Sequence, residues 1–287
     1  MLKRVQHDRN KMNQKISILG CGWLGLPLAK SLLAKGYEVK GSTTSESKLE
    51  VLKNSGISPF QIQLEEHQII GNMEDFLKET DVLVIDIPPG LRKVISTSNE
   101  MTFVNKVKTL IPFIEKSGVQ KVIFVSSTSV YGDGFPIVEI TEETKPNPDT
   151  ESGKQLVIAE TLLQSNPNFK TTVIRFGGLL GDDRHPIKFL AGRTNVENPE
   201  APVNMIQRED CIGIIEKILK QVQHDNWGET FNAVAPQHPT RKAYYHKKAQ
   251  IMNLPLPTFA ENSESKGKII SSEKVKTILG YSFQKEI

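Results

Sequence analysis

The residues of this chain best suited to chemistry begin with a run of glycines. Gly20-Cys21-Gly22-Trp23-Leu24-Gly25 spells G-x-G-x-x-G directly after the apolar run KISIL. In such a loop the first glycine, Gly20, lets the chain turn sharply. The second, Gly22, lets backbone approach a pyrophosphate, and the third, Gly25, lets helix pack on strand. A helix opening at this point offers N–H groups and the positive end of its dipole to a negative ligand, with Trp23 and Leu24 at the turn itself. The chemistry implied is the grip on a dinucleotide through its phosphates. The competing reading is a tight turn without a ligand, and the strand–turn–helix context favours the ligand. Cys21 reads as a small filler of the turn, since nothing nearby in sequence activates its thiol.

Further candidates follow downstream. A site selective for NAD carries Asp or Glu about 20 residues beyond the first glycine, to hold the ribose 2′-hydroxyl. That stretch here is Lys40-Gly41-Ser42-Thr43-Thr44-Ser45, with Lys48 one turn into the next helix. A carboxylate would repel a 2′-phosphate, whereas Thr43, Thr44 and Lys48 can hold one, which points to NADP in preference to NAD. The same residues also serve as an ordinary helix cap. Pro88-Pro89-Gly90 closes the run VLVIDI; it either walls the ribose–nicotinamide half of a cofactor or only ends the strand. His185 follows a glycine-rich loop and titrates near neutrality, so it can exchange a proton. Equally, His185-Pro186 can simply turn the chain before PIKFLAG.

The elements that must position these residues are legible as alternating patterns. KISILG, YEVKGS, FQIQL, VLVIDI, KVIFVSS and TTVIRF are predicted strands. LGLPLAKSLLAK and SESKLEVLKNSG are predicted helices, ended by Gly36 and Gly56. VLVI and VIFV are continuously apolar, as strands covered on both faces require. Strands alternating with helices specify right-handed βαβ units. The fold class is therefore α/β: a Rossmann-type doubly wound parallel sheet with a smaller C-terminal substrate lobe built from insertions. Residues 1–13 read as an extension and 14–177 as the core, continued by about 203–235. Residues 178–202 and 236–287 read as the lobe, with REDCIGIIEKILKQV an amphipathic helix and ETFNAV a strand.

Composition excludes several alternatives. The 287 residues carry 36 Lys+Arg against 33 Asp+Glu, a net charge of +3 with no basic block, so neither nucleic acid nor an acidic membrane surface is an expected partner. Two cysteines make neither a disulfide framework nor a zinc site, and no metal site is expected. The polar N-terminal residues do not resemble a secretory signal, and no apolar run reaches the ~18 residues of a membrane span. The expected setting is cytoplasmic, with a small molecule as partner and a homodimer as a possible assembly.

One stretch narrows the class. Ser126-Ser127-x-x-Val130-Tyr131-Gly132 resembles the extended short-chain dehydrogenase/reductases of the NAD-dependent epimerase/dehydratase type. Arg175-Phe-Gly-Gly-Leu-Leu-Gly181, NMIQRED at 204–210 and TFNAVAP resemble later segments of that family. The Trp-Leu-Gly loop, RHP at 184–186 and the run at 235–239 are most similar to its atypical, YeeZ-like bacterial members. The resemblance implies an NAD(P) cofactor, with Ser126 among the cofactor contacts and Ser127 in the place of the serine that orients a substrate oxygen. Family enzymes also use a Tyr as proton donor and, four residues on, a Lys that lowers its pKa. About 25 residues after Ser127 this chain has Ser152, and four further on Leu156. An aliphatic alcohol cannot do the work of an activated phenol. Lys154 is rotated by roughly 200° from residue 152 on a helix, so it does not restore the pair. An alignment that uses Thr150 and Lys154 instead loses the match to Glu160. Tyr131 is a substitute proton carrier or a structural residue at a strand end. The expected function is an oxidoreductase or epimerase with an atypical site, acting on a small hydroxylated or nucleotide-sugar-like substrate. The alternative is a non-catalytic redox sensor or scaffold that binds NAD(P).

Overall fold

The computed structural model describes residues 14–90, 101–221, 227–261 and 264–287. The predicted extension at 1–13 lies outside them. Seven strands form one parallel sheet: β1 (Lys15–Leu19), β2 (Glu38–Thr43), β3 (Ser58–Gln61), β4 (Val82–Ile85), β5 (Lys121–Ser127), β6 (Lys170–Phe176) and β7 (Thr230–Ala233). Their spatial order is 3-2-1-4-5-6-7. The order reverses beside β1, the switch point where doubly wound sheets bind ligands. The register is fixed on both sides of β1, with Ile16 opposite Val39 on β2 and Val82 on β4. All four residues of β4 are fully buried, as its unbroken apolar sequence requires. Burial of each such side chain contributes roughly 1.5–3 kcal/mol.

The helices are α1 (Gly25–Ala34), α2 (Leu49–Asn54), α3 (Met73–Leu77), α4 (Thr102–Ser117), α5 (Glu151–Gln164), α6 (Ile187–Leu190), α7 (Arg208–Lys220), α8 (Arg241–Ile251) and α9 (Glu273–Leu279). In α1 the buried positions Leu28, Ala29 and Leu32 recur at helical spacing, and Gly36, with φ +85°, follows its C-terminus. The predicted helix SESKLEVLKNSG divides into a 3₁₀ turn at Glu46–Lys48 and the short α2. The predicted single strand FQIQL also divides. Its first part is in β3, while Gln63–Leu64 leaves the main sheet to pair antiparallel with Ile69–Ile70.

Backbone contacts separate two compact units. The first holds the described residues through Ser126 together with Lys154–Ile174 and Ile218–Thr230. The second holds Ser127–Gly153, Arg175–Lys217 and Phe231–Ile287. Within the second, Glu139–Ile140 pairs with Ile269–Ile270, and Gly178–Leu180 with Met205–Gln207. Its apolar centre gathers Ile187, Val203, Tyr244, Tyr245 and Ala249. Asp210, fully buried at the start of α7, accepts from the Tyr281 hydroxyl at 2.8 Å and the Gln284 N–H at 2.7 Å. These bonds fasten the C-terminal tail to α7.

Candidate functional site

The glycine loop joins β1 to α1 in the first unit, and its three glycines are there for different reasons. Gly20 has φ +107°, and a Cβ on it would lie 2.3 Å from the Asp86 carbonyl oxygen. A Cβ on Gly25 would lie 2.2 Å from the Gly20 carbonyl oxygen. Both positions are forced by close packing of backbone on backbone. Gly22 is exposed, and a Cβ there would meet nothing within 4 Å. The chain itself does not demand a glycine at 22.

Strand β2 fastens this loop. The Gly20 N–H donates to the Ser42 hydroxyl at 2.9 Å, and the Cys21 N–H donates to the Ser42 carbonyl at 2.7 Å. A side chain on Gly41 would come within 2.6 Å of the Cys21 sulfur, so a glycine in β2 makes room for the cysteine. Burial, then the charge of Asp86, pushes the Cys21 thiol up to about 12. It is a neutral filler, as its sequence context suggests. Asp86 itself, just past β4, accepts from the Gly25 N–H at the start of α1. Burial of its carboxyl raises its pKa to about 7.

Beside the loop lies a cleft of about 940 Å³. Its walls are Gly20, the hydroxyl residues Ser42, Thr43 and Thr44, the segment 62–68, and Pro88. Thr43 is buried, and its hydroxyl accepts from the Ser45 N–H at 3.2 Å, while Thr44 is exposed. Glu46 and Lys48 are exposed in the 3₁₀ turn that follows. On the opposite side Glu65 accepts from Gln63 at 3.0 Å and from Gln68 at 2.9 Å, which stiffens the 62–68 segment. Trp23, Leu24, Lys48 and Pro89 do not line the cleft. Ser126 is tied elsewhere: its hydroxyl donates to buried Glu160 at 2.5 Å, pinning β5 to α5.

Ser127, Tyr131, Ser152 and His185 belong to the second unit. The Ser127 hydroxyl accepts from the Ser129 N–H at 3.2 Å and so caps the turn Thr128–Val130. Ser152 is partly exposed in the first turn of α5. A Cβ on its neighbour Gly153 would lie 2.3 Å from the Ser129 carbonyl oxygen, so backbone contact requires that glycine. Further along α5, Lys154 is exposed and Leu156 is buried, as their angular separation dictates. Tyr131 is 1% exposed, and its hydroxyl accepts from Arg175 at 2.5 Å. The same hydroxyl lies 3.2 Å from both the Thr141 carbonyl and the Asn232 Oδ1, so its own proton is held internally. Burial raises its pKa against the opposing pull of Arg175.

His185 is similarly engaged. Its Nδ1 accepts from the Ile187 N–H at 3.2 Å, which assigns the neutral ring's proton to Nε2 and its donation to the Tyr244 hydroxyl at 3.1 Å. The two rings stack with centroids 5.8 Å apart. Burial, then Lys248 and Lys188, hold the imidazole down at about 4, so it is neutral at physiological pH. Sequence reasoning missed Ser42, the 62–68 segment and Asp86. The last had a signal: a lone carboxylate ending an otherwise apolar strand. Ser42 and the 62–68 segment had none, because their roles follow from which strands are neighbours.

A parallel sheet of order 3-2-1-4-5-6-7, with a glycine loop after β1 and a hydroxyl-lined cleft at the end of β2, defines a Rossmann-type dinucleotide-binding protein. The residues present fit such a ligand, since Gly22 opens onto unfilled space at the mouth of a helix. The family described as NAD(P)H-binding matches residues 20–221, and the chain belongs to it. Protein YeeZ of Escherichia coli strain K12 is 36% identical over 273 residues, covering 94% of this chain and 96% of that protein. Among solved structures, the UDP-glucose 4-epimerase with UDP-glucose from Thermotoga maritima superposes with a TM-score of 0.78 at 17% identity, over 95% of this chain and 94% of the other. The UDP-glucuronic acid 4-epimerase from Bacillus cereus in complex with NAD also gives 0.78 at 17% identity, over 95% and 92%. The expected NAD(P)-binding family and the likeness to YeeZ are thus borne out, and the two solved epimerases share the fold. No helix among the described residues is long and apolar enough to cross a membrane.

Proposed function

We propose that this protein is an NAD(P)-dependent oxidoreductase or epimerase with an atypical active site. Its substrate would be a small hydroxylated or nucleotide-sugar-like molecule. The observation that carries the reading is Gly22: a glycine that packing does not require, at the one place in the loop where a pyrophosphate would approach. Gly20, Gly22 and the first turn of α1 would hold the phosphates, and Ser42 holds the loop in position. Thr43 and Thr44 would face the adenosine ribose. Neither is acidic, which supports NADP in preference to NAD. A bound nicotinamide would supply a hydride acceptor or donor. Ser127 would orient a substrate oxygen, and Ser152 and Leu156 replace the usual Tyr-x-x-x-Lys pair, so the proton would come from another group.

A second reading, a non-catalytic NAD(P)-binding sensor or scaffold, draws support from Tyr131 and His185. Both candidate proton carriers spend their polar atoms on internal hydrogen bonds. The test is titration with NADPH and NADH, followed by nicotinamide fluorescence. Binding is expected, with NADPH the tighter; no binding of either at millimolar concentration would overturn the proposal. Net reduction or oxidation of NAD(P), or a changed configuration of the sugar with no net cofactor change, when nucleotide sugars are added separates the enzyme from the sensor.

A further inference from the structure

The mouth of α1 already contains a negative group of the chain's own. Asp86 follows β4, and its carboxyl accepts from the Gly25 N–H in the first turn of the ten-residue α1. One carboxyl oxygen lies 3.1 Å from where a Cβ on Gly25 would be, so the group reaches under the glycine loop itself. The backbone of the same residue is built into the loop's floor. The Asp86 N–H donates to the Leu19 carbonyl at 2.9 Å, and its own carbonyl is what forces a glycine at 20. A pyrophosphate and an ionised carboxylate at one helix N-terminus compete for the same N–H groups and the same dipole end, and they repel one another.

Apart from the Gly25 N–H and the α1 dipole, no described cation nearby offsets that charge. Residues 19–25, 41–45 and 124–126, at the ends of β1, β2 and β5 around Asp86, include no charged side chain. The first charged residue of α1 is Lys30. The ionisable neighbour is the Cys21 thiol, which is neutral. Across the cleft stand Lys106 of α4 and the Glu65, Glu66 and His67 side chains, and none of them counts among the influences on Asp86.

We propose that Asp86 is part of the dinucleotide seat and that the cofactor binds only when this carboxyl is neutral, so that loading takes up a proton whenever Asp86 is ionised. The proposal rests on the dinucleotide-binding reading above. Because burial already raises the carboxyl to about 7 in the unliganded protein, the exclusion falls within the physiological range. A bound pyrophosphate raises it further. Affinity then falls by about tenfold per pH unit above about pH 7 and is level below it.

The experiment measures NADH affinity by fluorescence between about pH 6 and pH 9, for the wild type and Asp86→Asn. The asparagine keeps an acceptor for the Gly25 N–H but cannot ionise. The wild type is expected to weaken as pH rises, whereas D86N is level and binds about 30-fold more tightly than wild type at about pH 8.5. Calorimetry of the wild type in two buffers of different ionisation enthalpy gives a second readout that needs no variant. It should show uptake of close to one proton per NADH at about pH 8. A level wild-type profile, an unchanged slope in D86N or zero proton uptake overturns the role of Asp86 while leaving the dinucleotide site standing. No binding of NADH or NADPH at any pH overturns both.

Discussion

Alanine substitution through the glycine loop separates the residues that build the fold from the one that the proposed cofactor would need. In Gly20→Ala the new methyl would lie 2.3 Å from a backbone oxygen, on a residue with φ +107°. The backbone conformation costs about 1–2 kcal/mol and the overpacking roughly 1–3 kcal/mol. Gly25→Ala puts a methyl 2.2 Å from the Gly20 oxygen and incurs the second cost without the first. Gly22→Ala meets nothing within 4 Å. Its stability should stay within about 1 kcal/mol of wild type, since the loss of unfolded-chain entropy is the main term left. Under the proposed reading its methyl would nevertheless stand where a pyrophosphate approaches. Displacing two charge-assisted hydrogen bonds, each worth about 1.5 kcal/mol, weakens NADPH binding by about 3 kcal/mol, or roughly 100-fold. The assay pairs urea unfolding with NADPH titration on all three variants. If Gly22→Ala folds normally and binds NADPH within threefold of wild type, the assignment of that space to the pyrophosphate is wrong.

Two further predictions concern the residues that sequence offered as proton carriers. Tyr131→Phe leaves Arg175 and Asn232 short of a buried partner, so urea unfolding should show a loss of about 1–3 kcal/mol with NADPH affinity unchanged. A tenfold loss of affinity at unchanged stability would place Tyr131 in the ligand site instead. His185 should remain neutral from about pH 5 upward, with its proton on Nε2 in nitrogen-resolved NMR. Because its folded pKa of about 4 lies below the ordinary histidine value of 6.5, the unfolded chain takes up the proton first. Stability is therefore lost as pH falls from about 6.5 towards 4, by about 1–2 kcal/mol once solvent screening of the half-exposed ring is allowed for, and His185→Gln should remove that slope. A His185 resonance titrating near its ordinary value contradicts the buried stack on Tyr244.

What the sequence disclosed followed from how local each signal is. The strands at VLVI and KVIFVSS declare themselves because a strand covered on both faces must be apolar throughout, and a short window suffices to see it. The G-x-G-x-x-G loop is legible for the same reason, since turn, approach and packing are all decided within six residues. FQIQL has the pattern of one strand because periodicity does not record a change of partner. Gln63 turns away from the sheet to meet Ile70, a residue whose pairing lies outside the window. Ser126 and Tyr131 show the same limit in the site. Their side-chain chemistry suits a cofactor or a proton, yet each hydroxyl is committed to a residue 34 or more positions away, Glu160 in one case, Arg175 and Asn232 in the other. Residue type states what a group can do; only its distant partners state whether it is available.

That distinction also orders the site. Gly20, Gly25 and Gly41 are fixed by what touches them: a carbonyl of Asp86, a carbonyl of Gly20, the sulfur of Cys21. Each would be required in a loop that bound nothing. Gly22 is touched by nothing, and Asp86 brings a carboxyl to a helix mouth where no described cation meets it. A fold selected for stability alone has no use for either feature. An unneeded glycine at an exposed turn gives up rigidity, and a buried carboxylate without a cation is costly to ionise. The two departures from local economy lie within one loop and its floor, where strained or costly features are expected to cluster if the loop has work to do. A tight turn alone accounts for the glycine spacing, whereas a bound ligand would account for Gly22 and Asp86, which the described residues around them leave unexplained.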